Sequence, residues 1–221
     1  MRPTLALLLL VLTATSAFAQ SPYIGGSFIG DIVRLSGSTD FDTTGSGESI
    51  GGAIRGGTAL GGRWGVDIEF ARTGEIENEP DFRILGDSFP VFGPGVLIFP
   101  QPEVRSRRES STLTTMLWWR QEVGDRFDLV YLGGAAFART ETSLTIEIPG
   151  IPIPIPIPPG GVIRPPQVID QEAVSYGTGV AVGLDGRLRM TDRLRVVPGL
   201  RLLTVTGGWI VRPAVGVLWA F

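Results

Sequence analysis

The closing stretch GWIVRPAVGVLWAF, residues 208–221, decides the fold because its side chains alternate between an apolar face and a mixed face. The apolar face consists of the odd-numbered positions Trp209, Val211, Pro213, Val215, Val217, Trp219 and Phe221. The even-numbered positions include small residues and the charged residue Arg212. A period of two residues predicts a β-strand with one apolar side rather than a helix.

The spacing of two tryptophans indicates a membrane. Trp209 and Trp219 lie ten residues apart on the apolar face. At about 3.3 Å per residue and a strand tilt of about 40°, the two rings lie roughly 25 Å apart along the membrane normal. Transmembrane barrels have an apolar band of that height, bordered by aromatic girdles. We therefore predict that this strand crosses a bilayer.

The preceding segment is predicted to be its hairpin partner, joined by a tight turn at Gly207-Gly208. Its outward residues are Leu194, Val196, Pro198, Leu200 and Leu202, and its inward face includes Arg193, Arg195 and Arg201. The predicted pairs are Leu202 with Pro213, Leu200 with Val215 and Val196 with Trp219. The opposite orientation would place arginines in lipid, at about 2 to 4 kcal/mol each near the midplane. We expect a local bulge or distortion at Pro198 and Pro213, since proline removes a ladder hydrogen bond.

Six further segments show the same two-faced pattern, namely 23–35, 49–60, 63–73, 109–120, 127–138 and 174–188. We therefore predict an all-β chain folded as an eight-stranded antiparallel up-and-down transmembrane β-barrel. The predicted aromatic girdle comprises Trp64, Trp119, Phe127, Phe137, Trp209 and Trp219. Long loops are predicted at about 36–48, 74–108 and 143–173, and short turns connect the strands at the opposite, periplasmic end. Ten strands remain an alternative.

With these features the chain resembles the small eight-stranded outer-membrane barrels of the OmpA and OmpX type, over about residues 23–221. Its last strand is similar to the C-terminal insertion signal of that family, with Val217, Trp219 and Phe221 on the outer face. The resemblance implies insertion by the barrel-assembly machinery. We expect no peptidoglycan-binding domain.

The first residues are typical of a secretory signal peptide, because an apolar run is followed by Ala17-Phe18-Ala19. We expect residues 1–19 to be removed and residues 20–221 to form the barrel domain. No later stretch offers about 20 uninterrupted apolar residues, which excludes a helical membrane protein. The predicted location is the bacterial outer membrane. A soluble lipocalin-like barrel is the alternative architecture, but its apolar residues would face inward.

The composition excludes several kinds of chemistry. The chain contains no cysteine and no histidine, which removes disulfides, thiolate metal sites and the commonest general base. We expect no enzymatic activity, no metal and no cofactor. The basic residues are dispersed or inward-facing, so nucleic-acid binding is not indicated. A monomer is expected.

A set of charged residues is predicted to face the lumen, namely Asp31, Arg55, Asp67, Glu69, Arg201 and Arg212. The lumen of an eight-stranded barrel is just wide enough for side chains to fill it, so buried arginines need carboxylate partners. We interpret this set as a filled, ion-paired core. The alternative is a gate whose ion pairs exchange to open a narrow path.

Two loop stretches, 82–100 and 148–159, are more apolar than exposed loops normally are. They are expected either to pack on each other as a cap or to bind a hydrophobic ligand or an external protein. Arg105, Arg107 and Arg108 lie just outside the predicted fourth strand and either meet lipid phosphates or form a solvated cluster.

The sequence thus predicts an outer-membrane barrel with a structural or surface-interaction role through its apolar external loops. The expected partners are outer-membrane lipid and lipopolysaccharide, and the barrel-assembly machinery during insertion. The alternative function is a narrow porin-like channel for ions or small hydrophobic solutes.

Overall fold

The computed structural model describes residues 21–35, 47–78, 103–148, 167–205 and 208–221. The predicted signal peptide lies outside these residues. The strands are β1 Pro22–Leu35, β2 Gly47–Gly61, β3 Trp64–Asn78, β4 Glu103–Glu122, β5 Phe127–Ile148, β6 Gln167–Arg189, β7 Leu194–Val205 and β8 Gly208–Ala220. Each strand pairs antiparallel with the next, and β8 pairs with β1 to close the barrel. The predicted fold class is confirmed. In the described ranges, no helix is long and apolar enough to span a bilayer.

The alternation of side chains determines which face points outward. On β3, the apolar residues Trp64, Ile68 and Phe70 are exposed, whereas Asp67 and Glu69 are buried in the lumen. The other strands place apolar residues outward in the same way, which is the arrangement of a barrel surrounded by lipid. The first residue of β1, the last residue of β8 and the turns at 62–63, 123–126 and 190–193 lie at one end of the barrel. We call that end periplasmic and the opposite end external, as in outer-membrane barrels.

The closing hairpin has the predicted faces but a different register. Leu200 pairs with Pro213 and Val196 pairs with Val217, so the predicted pairs are wrong by two residues. The reason is that Val205 pairs with Gly208, which makes Gly208 the first residue of β8 rather than part of the turn. A shift of two residues leaves every side chain on its original face, so the orientation of the hairpin is unaffected.

The two strand prolines interrupt the ladder without creating a bulge. Beside Pro198, the pairing of β6 with β7 lacks two steps, and the register is the same on both sides of the gap. The pairing of β1 with β8 is interrupted beside Pro213 in the same way. The register shifts that do occur lie between Ala59 and Gly61 and between Thr73 and Ile76. The expected bulge or distortion is therefore present as a local loss of pairing and not as a bulge, because each proline loses hydrogen bonds to only one neighbouring strand.

Three strands continue well beyond the predicted ends. β4, β5 and β6 contain 20, 22 and 23 residues, and their outer parts, 103–108, 143–148 and 167–173, occupy sequence that we predicted as loop, as does the end of β3, 74–78. Pairing between β5 and β6 continues to the pair Ile148 and Gln167. The corrections apply to the ends of the predicted loops 74–108 and 143–173, whose central parts lie outside the described residues. Arg105, Arg107 and Arg108 consequently lie inside β4 rather than beyond it.

Candidate functional site

A network of charged side chains fills the middle of the lumen, and Arg55 on β2 is its first centre. Arg55 Nη2 donates to Asp67 Oδ2 on β3 at 2.6 Å, and Arg55 Nη1 donates to Asp185 Oδ2 on β6 at 2.9 Å. Tyr23 Oη on β1 donates to the same oxygen of Asp67 at 2.5 Å. All four residues are buried. One arginine therefore connects strands from opposite sides of the barrel.

Arg212 on β8 is the second centre of the network. Its Nε and Nη2 atoms donate to the two carboxylate oxygens of Asp31 on β1, at 2.6 and 2.7 Å. Its remaining nitrogen, Nη1, donates to Thr112 Oγ1 on β4 at 2.7 Å. This two-point contact between a guanidinium and a carboxylate is the strongest geometry available to such a pair. It joins the first and last strands of the barrel.

Arg201 on β7 connects the two centres. Arg201 Nη1 donates to Asp185 Oδ1 at 2.5 Å, and Arg201 Nη2 lies 3.7 Å from Glu69 Oε2. The other oxygen of Glu69 lies 3.9 Å from Arg212 Nη1. All six lumen residues proposed from the sequence thus lie in one connected network.

Sequence reasoning missed three members of this network, namely Tyr23, Thr112 and Asp185. Asp185 had a usable signal, because it lies on the inward face of β6 together with Arg187. Tyr23 and Thr112 had no such sequence signal, because an inward tyrosine or threonine carries no charge that requires an oppositely charged partner. Among the described residues, no group of acidic side chains could hold a metal ion.

The network leaves almost no space in the lumen. The cavity between Arg55, Glu69, Asp185 and Arg201 has a volume of only about 10 Å³, which is no more than the space a single water molecule needs. Opening a path would require separating buried ion pairs, at about 3 to 5 kcal/mol for each broken pair. The geometry therefore favours a filled core over an open pore.

The predicted girdle residues all lie on the outer face, in two rows. Near the periplasmic end, Trp64 pairs across the strands with Trp119, whose ring centre lies 5.5 Å from that of Tyr131. Near the external end, the rings of Phe137 and Tyr176 stack at 5.9 Å. The remaining predicted members, Phe127, Trp209 and Trp219, belong to the same outer face. Val217, Trp219 and Phe221, the proposed insertion signal, are also exposed outward.

Above the external aromatic row, β4, β5 and β6 form a sheet that we call the external sheet, comprising residues 103–110, 139–148 and 167–176. β3 pairs with its base only as far as Asn78, opposite Ser106. Pairing of β6 with β7 ends at Val180 and Thr204, whereas β6 itself continues to Gln167. The nine residues beyond Tyr176 extend the sheet roughly 20 Å above the ring, at about 3.3 Å per tilted residue. Residues 167–176 are exposed along their whole length.

No protein-family model matches the chain, and no curated protein matches it. Solved structures do. The attachment invasion locus protein Ail of Yersinia pestis is 13% identical, with a TM-score of 0.50 over 91% of this chain and 98% of that one. Its complex with the heparin analogue sucrose octasulfate is 12% identical, with a TM-score of 0.51 over 91% and 98% of the two chains.

A major outer membrane protein from Thermus thermophilus is 10% identical, with a TM-score of 0.50 over 90% of this chain and 99% of that one. At such low identity the similarity establishes the fold alone. The chain therefore has the fold of the small eight-stranded outer-membrane β-barrels. This fold agrees with the predicted location in the bacterial outer membrane.

Proposed function

We propose that this outer-membrane barrel is a surface-interaction protein, which binds an extended segment of a partner protein along the edge of β6 in the external sheet. The observation that carries this proposal is the length of β6, which continues beyond the last residue of β7 that pairs with it. Among the described residues, no strand lies along that side of residues 167–176. A sheet edge of this kind can accept an additional strand.

The hydrogen bonds of Val180 show which backbone groups point toward this edge. Val180 N–H donates to Thr204 Oγ1 on β7 at 3.2 Å, so this N–H group points away from β5. Backbone groups alternate in direction along an antiparallel strand. Val168, Asp170, Glu172 and Val174 therefore direct their N–H and C=O groups toward the same side as Val180. These are the groups that an added strand would bind.

The side chains along the edge indicate the chemistry of the partner. Val168 and Val174 are exposed apolar residues, and the two acidic residues Asp170 and Glu172 lie between them on the same face. Successive residues of an added strand point to opposite faces, so an extended segment with apolar, basic, basic and apolar residues at every second position would complement this face. The predicted apolar loops 82–100 and 148–159 lie outside the described residues, apart from Ile148 at the end of β5, and on their apolar sequence we propose them as further parts of the partner-binding surface.

The proposed role is binding rather than transport or catalysis. The filled lumen supports it, because the ion pairs of Arg55, Arg201 and Arg212 occupy the space that a channel would need. The barrel would then serve as a rigid membrane anchor for the external sheet.

The outer face also offers a groove suited to lipopolysaccharide. This groove has a volume of about 440 Å³, with Phe70, Leu113 and Phe137 among its lining residues. Its external rim carries the ion pairs Arg72–Glu109 and Arg139–Glu141. We propose that an acyl chain of lipopolysaccharide packs on the apolar part of the groove. The arginines would then bind phosphate groups of the same lipopolysaccharide molecule. Insertion by the barrel-assembly machinery, through Val217, Trp219 and Phe221, completes the proposed set of partners.

A synthetic peptide with valine, arginine, arginine and valine at positions 1, 3, 5 and 7 and serine between them tests the edge in detergent-refolded protein, by fluorescence anisotropy. Val174→Pro removes one backbone N–H donor from the open edge and should weaken peptide binding about tenfold. The added strand loses a hydrogen bond, and the proline ring disturbs its packing against the edge. Val174→Ala is the matched control, since it shortens the same side chain but retains the donor. Strand addition is contradicted if a peptide N-methylated at every second residue binds as tightly as the unmodified peptide. It is also contradicted if the Val174→Pro and Val174→Ala variants bind the peptide equally.

A further inference from the structure

The periplasmic mouth of the lumen contains three inward arginines with few acceptors. They are Arg120 on β4, Arg187 on β6 and Arg195 on β7, and in each the Nε atom is buried without a hydrogen-bond partner in the described part of the chain. Arg195 lies within electrostatic range of the other two, of Arg189 and of Asp128. Arg195 therefore lies among three other guanidinium groups and one buried carboxylate.

Arg187 is the most enclosed of the three, with only 2% of its surface exposed. Its guanidinium carbon lies 5.1 Å from the ring centre of Tyr23 and 5.0 Å from that of Trp118. Contact with two aromatic rings holds this planar group in a fixed orientation. Within the described residues, its hydrogen bonding is limited to a 3.4 Å contact from Nη2 to Tyr23 Oη. The rings thus position a cation without neutralising it.

The other lumen arginines differ from those of the mouth because they have close carboxylate partners. Arg55, Arg201 and Arg212 each have a buried carboxylate oxygen within 2.9 Å, although the Nε atom of Arg201 also lacks a hydrogen-bond partner in the described part of the chain. A buried cation is strongly disfavoured unless an anion is close. The arginines of the mouth therefore need more negative charge than a single carboxylate can supply.

Nearby carboxylates offset only part of this positive charge. Asp185 lies within electrostatic range of Arg187, but it also pairs with Arg55 and Arg201. Asp128 is buried and can balance one of the arginines. Arg120 Nη2 lies 3.2 Å from Glu122 Oε1, but the Glu122 side chain is 59% exposed, so water screens this contact. The mouth is therefore incomplete without an anion from outside the chain.

From this arrangement we infer that the periplasmic mouth is a binding site for a phosphate-class oxyanion. Arg120 and Arg195 are only half-buried, so their guanidinium groups are accessible from the periplasm, whereas the ion-paired network closes the lumen on the external side. A tetrahedral phosphate presents oxygens in several directions and can accept from more than one guanidinium at a time. A carboxylate has only two oxygens, and the Asp185 carboxylate uses them to pair with two arginines, Arg55 and Arg201, whereas the additional oxygens of a phosphate can reach a third guanidinium.

The test uses the full chain refolded in a non-ionic detergent, with inorganic phosphate titrated calorimetrically in phosphate-free buffer. Arg195→Gln should weaken phosphate binding at least about tenfold, since it removes a charged donor from the site. Arg126→Gln is the matched control, because Arg126 lies exposed in the turn between β4 and β5 at the same end. Heat-dependent gel mobility verifies that both variants fold.

Saturable binding by the wild type and by Arg126→Gln, with loss in Arg195→Gln, supports the site. Absence of saturable binding by the wild type, equal loss in both variants, or complete displacement by sodium chloride at equal ionic strength would overturn it. Nanodiscs containing phosphatidylglycerol distinguish the source of the anion. Weakened phosphate binding in these nanodiscs identifies a lipid headgroup as the competitor, whereas unchanged binding identifies a soluble phosphate, and both results retain the oxyanion site.

Discussion

The pair formed by Arg212 and Asp31 provides the most direct test of the filled lumen. Both residues are essentially inaccessible, at 0% and 1% exposure, and two hydrogen bonds of 2.6 and 2.7 Å join them. Arg212→Met keeps most of the length of the side chain but leaves the Asp31 carboxylate buried without its two donors. Breaking a buried pair in this way costs about 3 to 5 kcal/mol, and we expect a loss of unfolding free energy in that range.

A double variant, Asp31→Leu with Arg212→Met, separates the interaction energy of the pair from the effects of each single change on its surroundings. Asp31→Leu alone should also be strongly destabilising, because it leaves the Arg212 guanidinium without its main acceptor. Replacing both partners by apolar residues of similar size is often close to neutral. We therefore expect the double variant to be more stable than the sum of the single changes by at least about 2 kcal/mol. Thr112 and Glu69 still lose their contacts with Arg212, so complete recovery is not expected.

Urea unfolding of the refolded protein, followed by tryptophan fluorescence and gel mobility, measures these differences. Arg139→Met is the control, since Arg139 and Glu141 form an ion pair whose side chains are 47% and 43% exposed. Loss of an exposed pair should cost less than about 1 kcal/mol. If Arg212→Met is no more damaging than Arg139→Met, water reaches the lumen pair and the reasoning that treats the core as closed is wrong.

Three further predictions concern the pore, the insertion signal and one loop. In planar bilayers the purified protein should show no steady ion current, because the cavity among the lumen ion pairs is only about 10 Å³; a current that increases in Arg212→Ala would support the gate instead. Phe221→Ser should reduce the amount of protein in the outer-membrane fraction, since it removes a ring that is 74% exposed at the end of the proposed signal. Unchanged insertion, compared with Phe221→Tyr, would remove that role. Deletion of residues 149–159 should leave the barrel folded and heat-modifiable, because β5 and β6 pair continuously below Ile148 and Gln167. Failure of this deletion variant to insert would show that the segment is more than an external connection.

The sequence predicted the transmembrane part of the fold well, because there the two faces of each strand have different surroundings. On β3, lipid on one side and a charged lumen on the other produce a strict alternation from Trp64 to Phe70. The same contrast identified all six predicted lumen charges. Which carboxylate meets which arginine could not be predicted, since the contact of Arg55 with Asp185 spans 130 positions and depends on the closed barrel.

The external sheet was missed for the same physical reason. Beyond the membrane both faces of β6 are exposed, so no environment selects apolar residues at every second position. Arg108 illustrates the consequence on β4. The sequence grouped it with Arg105 and Arg107, but the structure places it on the inner face beside Val33 and Ile76. Arg105 and Arg107, in contrast, are exposed.

The lumen network also explains why the closing hairpin adopts one of two registers that preserve its faces. The observed register places Arg201 directly opposite Arg212, and two like charges in that position normally destabilise a strand pair. Here Glu69 on β3 compensates for them, since one of its oxygens lies 3.7 Å from Arg201 and the other 3.9 Å from Arg212. The alternative register would move the two strands by about 6.6 Å relative to each other, so Glu69 could not contact both arginines. The contacts of Glu69 with both arginines therefore stabilise the observed register, which could not be predicted from the turn sequence alone.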